Sequence, residues 1–154
     1  QSITKIKKIV NNKVKLIIND FPEIAAKLNC DGCHIGQKDL SIQQTKQIMK
    51  SNKIIGVTCH NSKELALSAE KYGASYLAFG SFFKTKTKKT KFKAGPKLLQ
   101  WAHKNLKTPV VAIGGINEEN YKLLLQNGAK YIACSSYIWK NSKYNPLKAL
   151  NQLK

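Results

Sequence analysis

Short apolar runs alternate with longer amphipathic segments along nearly the whole chain, and this alternation restricts the fold more than any other feature. Runs such as KLII at 15–18, IIGVT at 54–58 and PVVAI at 109–113 have the continuity of strands buried on both faces. The segments between them have the apolar spacing of helices, and several end at a glycine. Successive strand–helix units predict an α/β protein with a parallel sheet and right-handed crossovers.

The pattern predicts six strand–helix units preceded by one incomplete helix. The predicted strands are 15–18, 33–35, 54–58, 76–79, 109–113 and 131–135. The predicted helices are 2–11, 22–29, 41–51, 62–72, 95–106, 118–127 and 145–153.

Nearly every predicted strand ends in glycine or in residues that form hydrogen bonds, as in Asn19-Asp20, Gly114-Gly115 and Ser135-Ser136. A TIM (β/α)8 barrel gathers all such loops around one mouth, whereas an open doubly wound sheet uses chiefly those at its switch point. We therefore predict a TIM barrel, of which this chain covers about six βα units.

The length of 154 residues is short for such a barrel, which needs at least about 200. We expect the first strand, the first helix and the second strand to be missing. Residues 1–154 would then form a single domain that is incomplete at its N-terminus, and the start at Gln1 rather than Met agrees with trimming.

The formal charge of +19 raises the possibility of nucleic-acid binding, but all 27 basic residues are lysine. Nucleic-acid binders usually exploit arginine for bidentate contacts that lysine cannot copy. A lysine-rich surface from an AT-rich genome is the better interpretation, and its charge would steer anionic small substrates to the protein. No run of eighteen apolar residues and no apolar leader is present, so we expect no membrane span and a cytoplasmic protein.

Cys30, Cys33 and His34 match the CxxCH pattern of haem attachment, and the cysteine pair also fits a redox dithiol or half a zinc site. No second CxxC completes a zinc site, and no export signal for haem attachment is visible. We interpret Cys33 as a small buried residue of a strand, and the four cysteines as reduced cytosolic thiols.

Asp20 and Asp39 follow two strands that would be neighbours in the sheet. One or two carboxylates, completed by waters and substrate phosphate, are how Mg²⁺ is usually held. The alternative is that each aspartate caps the helix after it. Two carboxylates in equivalent positions favour the metal.

Two further segments predict phosphate binding. The loop Thr85-Lys86-Thr87-Lys88-Lys89-Thr90 offers hydroxyls, amides and ammonium groups to phosphate oxygens, although a disordered basic loop is the alternative. Gly114-Gly115 and Ser135-Ser136 follow the last two strands, whose loops commonly form a phosphate site in TIM barrels.

Six motifs in order resemble the thiamine phosphate synthase family from about residue 14 to residue 138. They are LIIND, DGCHIGQKDL, IIGVTCH, GASYLAFGSFFKTKTKK, VVAIGGI and YIACSSYI. The resemblance implies a TIM-barrel transferase that couples hydroxymethylpyrimidine pyrophosphate to a thiazole phosphate. Pyrophosphate would depart first, and the thiazole nitrogen would trap the remaining cation.

The resemblance also implies a role for each matching residue. Asp20 and Asp39 would hold Mg²⁺, and the pyrophosphate would be contacted by Asn19, Thr58 and Lys88, of which Thr58 and Lys88 are the expected catalytic residues. The thiazole phosphate would be held by Thr85, Thr87, Gly115 and Ser136. Ser135, beside Ser136, is a further expected substrate-binding residue.

The chain departs from the family pattern in three places. Thr58 stands where serine is usual, Lys84 stands where proline is common, and the family's Gln-x-Arg-x-Lys strand is absent from these residues. Two alternatives stay open: a thiazole tautomerase of the same fold, and a non-catalytic basic module that binds phosphate or nucleic acid.

Overall fold

The computed structural model describes residues 2–11, 13–50, 52–85 and 91–154. The strands are β1 (Ile17–Asn19), β2 (Gly32–Ile35), β3 (Ile54–His60), β4 (Tyr76–Gly80), β5 (Val110–Ile113) and β6 (Tyr131–Ala133). The helices are α1 (Ser2–Val10), α2 (Pro22–Lys27), α3 (Ile42–Met49), α4 (Lys63–Lys71), α5 (Pro96–Asn105), α6 (Tyr121–Gln126), α7 (Ser136–Trp139) and α8 (Pro146–Asn151).

The six strands form one parallel sheet in the order β1-β2-β3-β4-β5-β6. Each strand therefore pairs with the next one along the chain. A doubly wound sheet would reverse its strand order at a switch point, which this sheet does not do. The predicted α/β class is confirmed, and the described residues form a half-barrel of six parallel strands. The eight-unit barrel stays a prediction.

Alternation along the strands separates the core from the concave face of the half-barrel. Ile18, Cys33, Val57 and Leu77 are buried, and they belong to a core cluster that includes the helix residues Ala25, Ala66, Leu99 and Leu124. The residues between them point the other way because successive strand side chains alternate. Asn19, His34 and Thr58 therefore lie on the concave face, where each is more exposed than the core residues beside it.

The cysteine prediction is confirmed at Cys33, which has no solvent exposure and lies in the core. Burial and then the nearby carboxylates raise the pKa of its thiol to about 11, so the thiol is protonated near neutral pH. Cys30, Cys59 and Cys134 are also free thiols. Within the described ranges, no helix has the length and apolar character needed to cross a membrane.

The sequence pattern placed some boundaries wrongly at the ends of strands. β3 continues two residues beyond Thr58 to His60, and β6 ends at Ala133 instead of Ser135. Ser136 begins the short helix α7, which the sequence analysis did not predict. A helix of four residues shows too little periodicity to be recognised from apolar spacing.

Gly56 is required by the packing of the concave face. It lies in register with His34 of β2 and Tyr76 of β4. A Cβ at Gly56 would fall only 1.9 Å from Cζ of Tyr76, so the tyrosine ring occupies the space that a side chain would need. The missing side chain lets Tyr76 reach across β3 toward β2.

We predict that Gly56→Ala destabilises the fold by about 1–3 kcal/mol, because the added methyl group overpacks the Tyr76 ring. The free energy of unfolding from chemical denaturation measures this loss. Gly95→Ala is the matched control, since a Cβ there meets nothing within 4 Å. That variant should lose less than about 1 kcal/mol. Equal losses in both variants would contradict the packing argument.

Candidate phosphate-binding site

An open cavity of about 970 Å³ lies at the carboxyl ends of the strands. Residues at or just after the ends of all six strands line it. All eight predicted site residues that the structure describes are among them, namely Asn19, Asp20, Asp39, Thr58, Thr85, Gly115, Ser135 and Ser136. The other two, Thr87 and Lys88, lie outside the described residues. The structure thus brings predicted residues at or near the carboxyl ends of all six strands to one cavity, while their individual roles stay predictions.

Neither aspartate is the N-cap residue of the helix after it. The N-cap of α2 is Phe21, without a side-chain capping bond, and the N-cap of α3 is Ser41, whose side chain and Gln44 form a capping box. The helix-capping alternative is therefore wrong for both Asp20 and Asp39.

Local hydrogen bonds hold both aspartates at the cavity. Asp20 has a positive φ of 68°, a conformation that aspartate tolerates better than most residues, and its backbone N–H donates to the His34 carbonyl at 2.8 Å. Asp39 Oδ2 accepts from the Gly36 N–H at 2.7 Å. Its other oxygen, Oδ1, has no hydrogen-bond partner within the described part of the chain, so it is available to a ligand.

The two carboxylates make one negative corner in a strongly basic protein. After burial, Asp20, Glu23 and Asp39 are the main causes that raise the pKa of Cys33, which lies behind them in the core. Across residues 2–11, 13–50, 52–85 and 91–154, no group of three or more His, Cys, Asp or Glu side chains is arranged to hold a metal. A cation at this corner would need oxygens from the substrate in addition to the two aspartates.

The concave face carries a polar cluster that was not predicted from the sequence. His34 Nε2 lies 2.7 Å from Thr58 Oγ1, and His34 Nδ1 lies 2.9 Å from the Tyr76 hydroxyl. The His34 and Tyr76 rings also stack, with centroids 5.5 Å apart. The available signal was strand alternation, because a histidine between the buried Cys33 and Ile35 must face the opposite side of β2.

The glycine pair after β5 lets the loop after β4 pack closely against it. Gly114 and Gly115 have positive φ values of 95° and 68°. A Cβ at Gly115 would lie 2.5 Å from the Lys84 carbonyl oxygen, and one at Gly114 would lie 2.3 Å from Ser81 Cβ. The Phe83 N–H also donates to the Gly114 carbonyl at 3.1 Å. The glycines therefore fix the start of the loop that carries Thr85.

The serine pair after β6 does not use its side chains to cap the following helix. Ser135 is the N-cap residue of α7, yet its hydroxyl makes no capping bond. Its carbonyl instead accepts from the N–H groups of Ile138 and Trp139. Ser135 and Ser136 both line the cavity beside Gly115.

A stacked ring pair connects the loops after β3 and β4. The His60 and Phe92 rings lie 4.0 Å apart at an angle of 20°, and both line the cavity. Asn61 Nδ2 donates to the Lys93 carbonyl at 3.1 Å, and the Ala94 N–H donates to the Ser81 carbonyl at 2.9 Å. These contacts hold the segment 91–94 across the end of β3.

The fold and the cavity define an α/β protein with a half-barrel of six parallel strands and a candidate binding site at their carboxyl ends. The family described as thiamine monophosphate synthase matches residues 1–138. The chain belongs to this family, and the resemblance seen in the sequence motifs is confirmed.

Individual relatives agree with the family assignment. The thiamine-phosphate synthase of Pelagibacter ubique is 56% identical over 151 residues, which are 97% of this chain and 72% of the relative. That of Rhodospirillum centenum is 43% identical over 83% of this chain and 62% of the relative. A solved thiamine phosphate pyrophosphorylase from Pyrococcus furiosus superposes with a TM-score of 0.87 at 32% identity, over 99% of this chain and 72% of that one.

These relatives are longer than the chain. It spans between 54% and 72% of the length of eight curated relatives, so more than a quarter of each of these has no counterpart here.

We predict that His60 makes the fold less stable in mild acid. Burial lowers the pKa of His60 below its ordinary 6.5, so the native state favours the neutral ring. The unfolded chain then binds more protons between the two pKa values, and the free energy of unfolding falls as pH decreases through about 6.5. Denaturation series at about pH 7.5 and about pH 5.5 should show a smaller acid loss in His60→Gln than in the parent.

His103→Gln is the matched control, because His103 is exposed on α5. It should keep the pH dependence of the parent. If His60→Gln and His103→Gln both retained the parent's acid loss, the burial argument for His60 would be wrong.

Proposed function

We propose that the natural protein containing this chain is a thiamine phosphate synthase. It would couple hydroxymethylpyrimidine pyrophosphate to thiazole phosphate and release pyrophosphate. The observation that carries the proposal is that one cavity is lined both by Asp20 and Asp39 and by Gly115, Ser135 and Ser136. Such a cavity can hold two anionic groups at once, as the coupling of two phosphorylated substrates requires.

Asp20 and Asp39 would hold Mg²⁺ together with pyrophosphate oxygens. The donor set fits, because Mg²⁺ prefers oxygen ligands and usually takes one or two carboxylates plus waters and substrate phosphates. The available Oδ1 of Asp39 and the positions of both residues on the cavity support this assignment. When bound, the cation neutralises charge on the leaving group.

The remaining residues would divide between the two substrates. Asn19, Thr58 and Lys88 would contact the pyrophosphate. Thr85, Thr87, Gly115, Ser135 and Ser136 would hold the thiazole phosphate. In support, Asn19 and Thr58 lie on the concave face beside the aspartates, and Gly115 packs on the segment leading to Thr85.

The chemistry would be dissociative, so that pyrophosphate departs before the thiazole nitrogen attacks the pyrimidine-methyl cation. This route needs no protein nucleophile or strong base. The residues of this chain would contribute hydrogen bonds and positive charge to the departing group and would fix the second substrate in line. Thr58 and Lys88 would be the catalytic residues, since both would touch the group that develops charge.

The retained aspartate pair favours a synthase over a thiazole tautomerase, which needs only the thiazole phosphate half of the site. We also propose small phosphorylated substrates rather than nucleic acid as partners. The cavity supports this choice, because its polar residues converge on a concave site of the size that small molecules occupy. Four free thiols are in keeping with a reducing, cytoplasmic compartment.

We propose that the natural protein closes the half-barrel into a (β/α)8 barrel around this single domain. The missing first strand, first helix and second strand would fill the gap between β1 and β6. Apolar side chains near both edges are exposed and would be covered: Ile9 of α1 is 79% exposed and Trp139 of α7 is 74% exposed. The greater length of the relatives supports the same closure.

We predict that Asp39→Asn abolishes the Mg²⁺ dependence of pyrophosphate release by the full-length natural protein. The asparagine Oδ1 can still accept from Gly36, so the turn is kept while the metal-binding charge is lost. The initial rate at saturating Mg²⁺ should fall at least about 100-fold. Glu119→Gln removes an exposed acid and should leave the rate unchanged. Turnover of the thiazole phosphate alone, without metal, would overturn the synthase proposal in favour of the tautomerase.

Lys88→Ala should slow pyrophosphate departure in a single turnover by about 100-fold while changing thiazole phosphate binding much less. The reason is that Lys88 would stabilise charge on the leaving group alone. Lys97→Ala, in the exposed first turn of α5, is the control for general loss of positive charge. Equal losses in departure and in thiazole phosphate binding would contradict the role of Lys88.

A further inference from the structure

Three side chains from adjacent strands form a hydrogen-bonded chain that ends at the cavity. The Tyr76 hydroxyl meets His34 Nδ1 at 2.9 Å, and His34 Nε2 meets Thr58 Oγ1 at 2.7 Å. Gly56 lies between His34 and Tyr76 in the sheet register and leaves the space through which they meet. Thr58 and His34 line the cavity, while Tyr76 lies behind them.

The direction of the Thr58 hydroxyl proton depends on the tautomer of His34. If Nδ1 carries the imidazole proton, Nε2 can only accept, and Thr58 must donate to it. If Nε2 carries the proton, it donates to Thr58 Oγ1, and the hydroxyl proton of Thr58 is left to point into the cavity. One proton position on His34 therefore decides whether Thr58 offers a donor to a ligand.

Tyr76 selects between these two arrangements. Its side chain is partly buried against Gly56, and burial raises the pKa of its hydroxyl to about 12, so the proton stays on the oxygen. Within the described residues the only acceptor that this hydroxyl reaches is His34 Nδ1. A buried O–H without an acceptor is costly, so Tyr76 donates to Nδ1 and leaves the imidazole proton on Nε2.

We propose that Tyr76 and His34 are positioning residues that turn the Thr58 hydroxyl into a fixed hydrogen-bond donor aimed at an anionic ligand in the cavity. The identity of that ligand as pyrophosphate rests on the proposed function. No proton is transferred along the chain. Its effect is to order a hydroxyl that would otherwise rotate, and to polarise it through the bond that Oγ1 accepts from His34.

The ordered donor matters because the leaving group gains charge as it departs. A donor that already points at the developing charge stabilises it without reorganisation, which a freely rotating hydroxyl cannot do. The Thr58 main chain is fixed as well, because its carbonyl accepts a hydrogen bond from Gln37 Nε2. Both the backbone and the hydroxyl of Thr58 are thus held from the neighbouring strand and its loop.

Long-range proton–nitrogen NMR correlation of the imidazole rings tests the orientation directly on the 154-residue chain. The chain has three histidines, so His60→Gln and His103→Gln assign the His34 signals by elimination. The expected pattern is a neutral ring protonated at Nε2. A ring protonated at Nδ1, or at both nitrogens, overturns the inference whatever the protein's activity.

Tyr76→Phe tests the positioning role, with Tyr72→Phe as the matched control at an exposed position. In Tyr76→Phe the Nδ1–H form of His34 should become populated, and the dissociation constant for inorganic pyrophosphate with Mg²⁺ should rise about 3- to 10-fold. Tyr72→Phe should leave both unchanged. An unchanged tautomer and an unchanged dissociation constant in Tyr76→Phe contradict the inference.

The two measurements also separate this inference from the proposed function. If this chain shows the Nε2–H tautomer but the full-length natural protein binds sulfate and not magnesium pyrophosphate, the ordered donor is supported and the pyrophosphate assignment fails. If it binds magnesium pyrophosphate with His34 protonated at Nδ1, the proposed function stands and the ordered donor is wrong.

Discussion

The parallel hydrogen-bonded ladder in strictly sequential strand order is the constraint on which the site depends. Because all six strands run in one direction, every carboxyl end falls on the same edge of the sheet. Residues as distant in sequence as Asp20 and Ser136 therefore line one cavity. Each loop needs to contribute only a few residues of suitable chemistry, because the parallel ladder brings the loops close to one another.

Close backbone approaches shape the cavity within that frame. Gly56 admits the Tyr76 ring to the concave face, and Gly115 admits the Lys84 backbone to the end of β5. In both places a Cβ would lie closer than 3.0 Å to its neighbour. Gly115 was expected from the sequence as a contact for phosphate, whereas no role was expected for Gly56. In the structure, part of their role is to let neighbouring segments pack together.

Much of the fold follows from the sequence, because continuous apolar runs mark buried parallel strands. The strand order follows too, since polar residues at every strand end favour a barrel mouth. Helix α7 could not be predicted in this way, because its four residues are too few to show the apolar periodicity of a helix. The roles expected for Asp20, Asp39 and Gly115 came from the family's sequence motifs. The structure adds that the three residues line one cavity.

The polar cluster of His34, Thr58 and Tyr76 on the concave face could be predicted only in part from the sequence. His34 was considered only as the last residue of a CxxCH pattern, for which haem and metal binding were judged the weaker interpretations. Strand alternation alone would have placed it opposite Cys33, on the concave face. Its partners could not be inferred, since Thr58 and Tyr76 lie on other strands and only the sheet register brings them within hydrogen-bond distance.

The most direct test of the central claim, that one cavity holds both anionic groups, is an amide chemical-shift titration of the full-length natural protein. Magnesium pyrophosphate is added first and thiazole phosphate second. We predict that the first ligand perturbs Asn19, Asp20, Asp39 and Thr58. The second should perturb Gly115 and Ser136 while the first set stays shifted. Perturbations confined to exposed lysines such as Lys97 and Lys130, for either ligand, would contradict it.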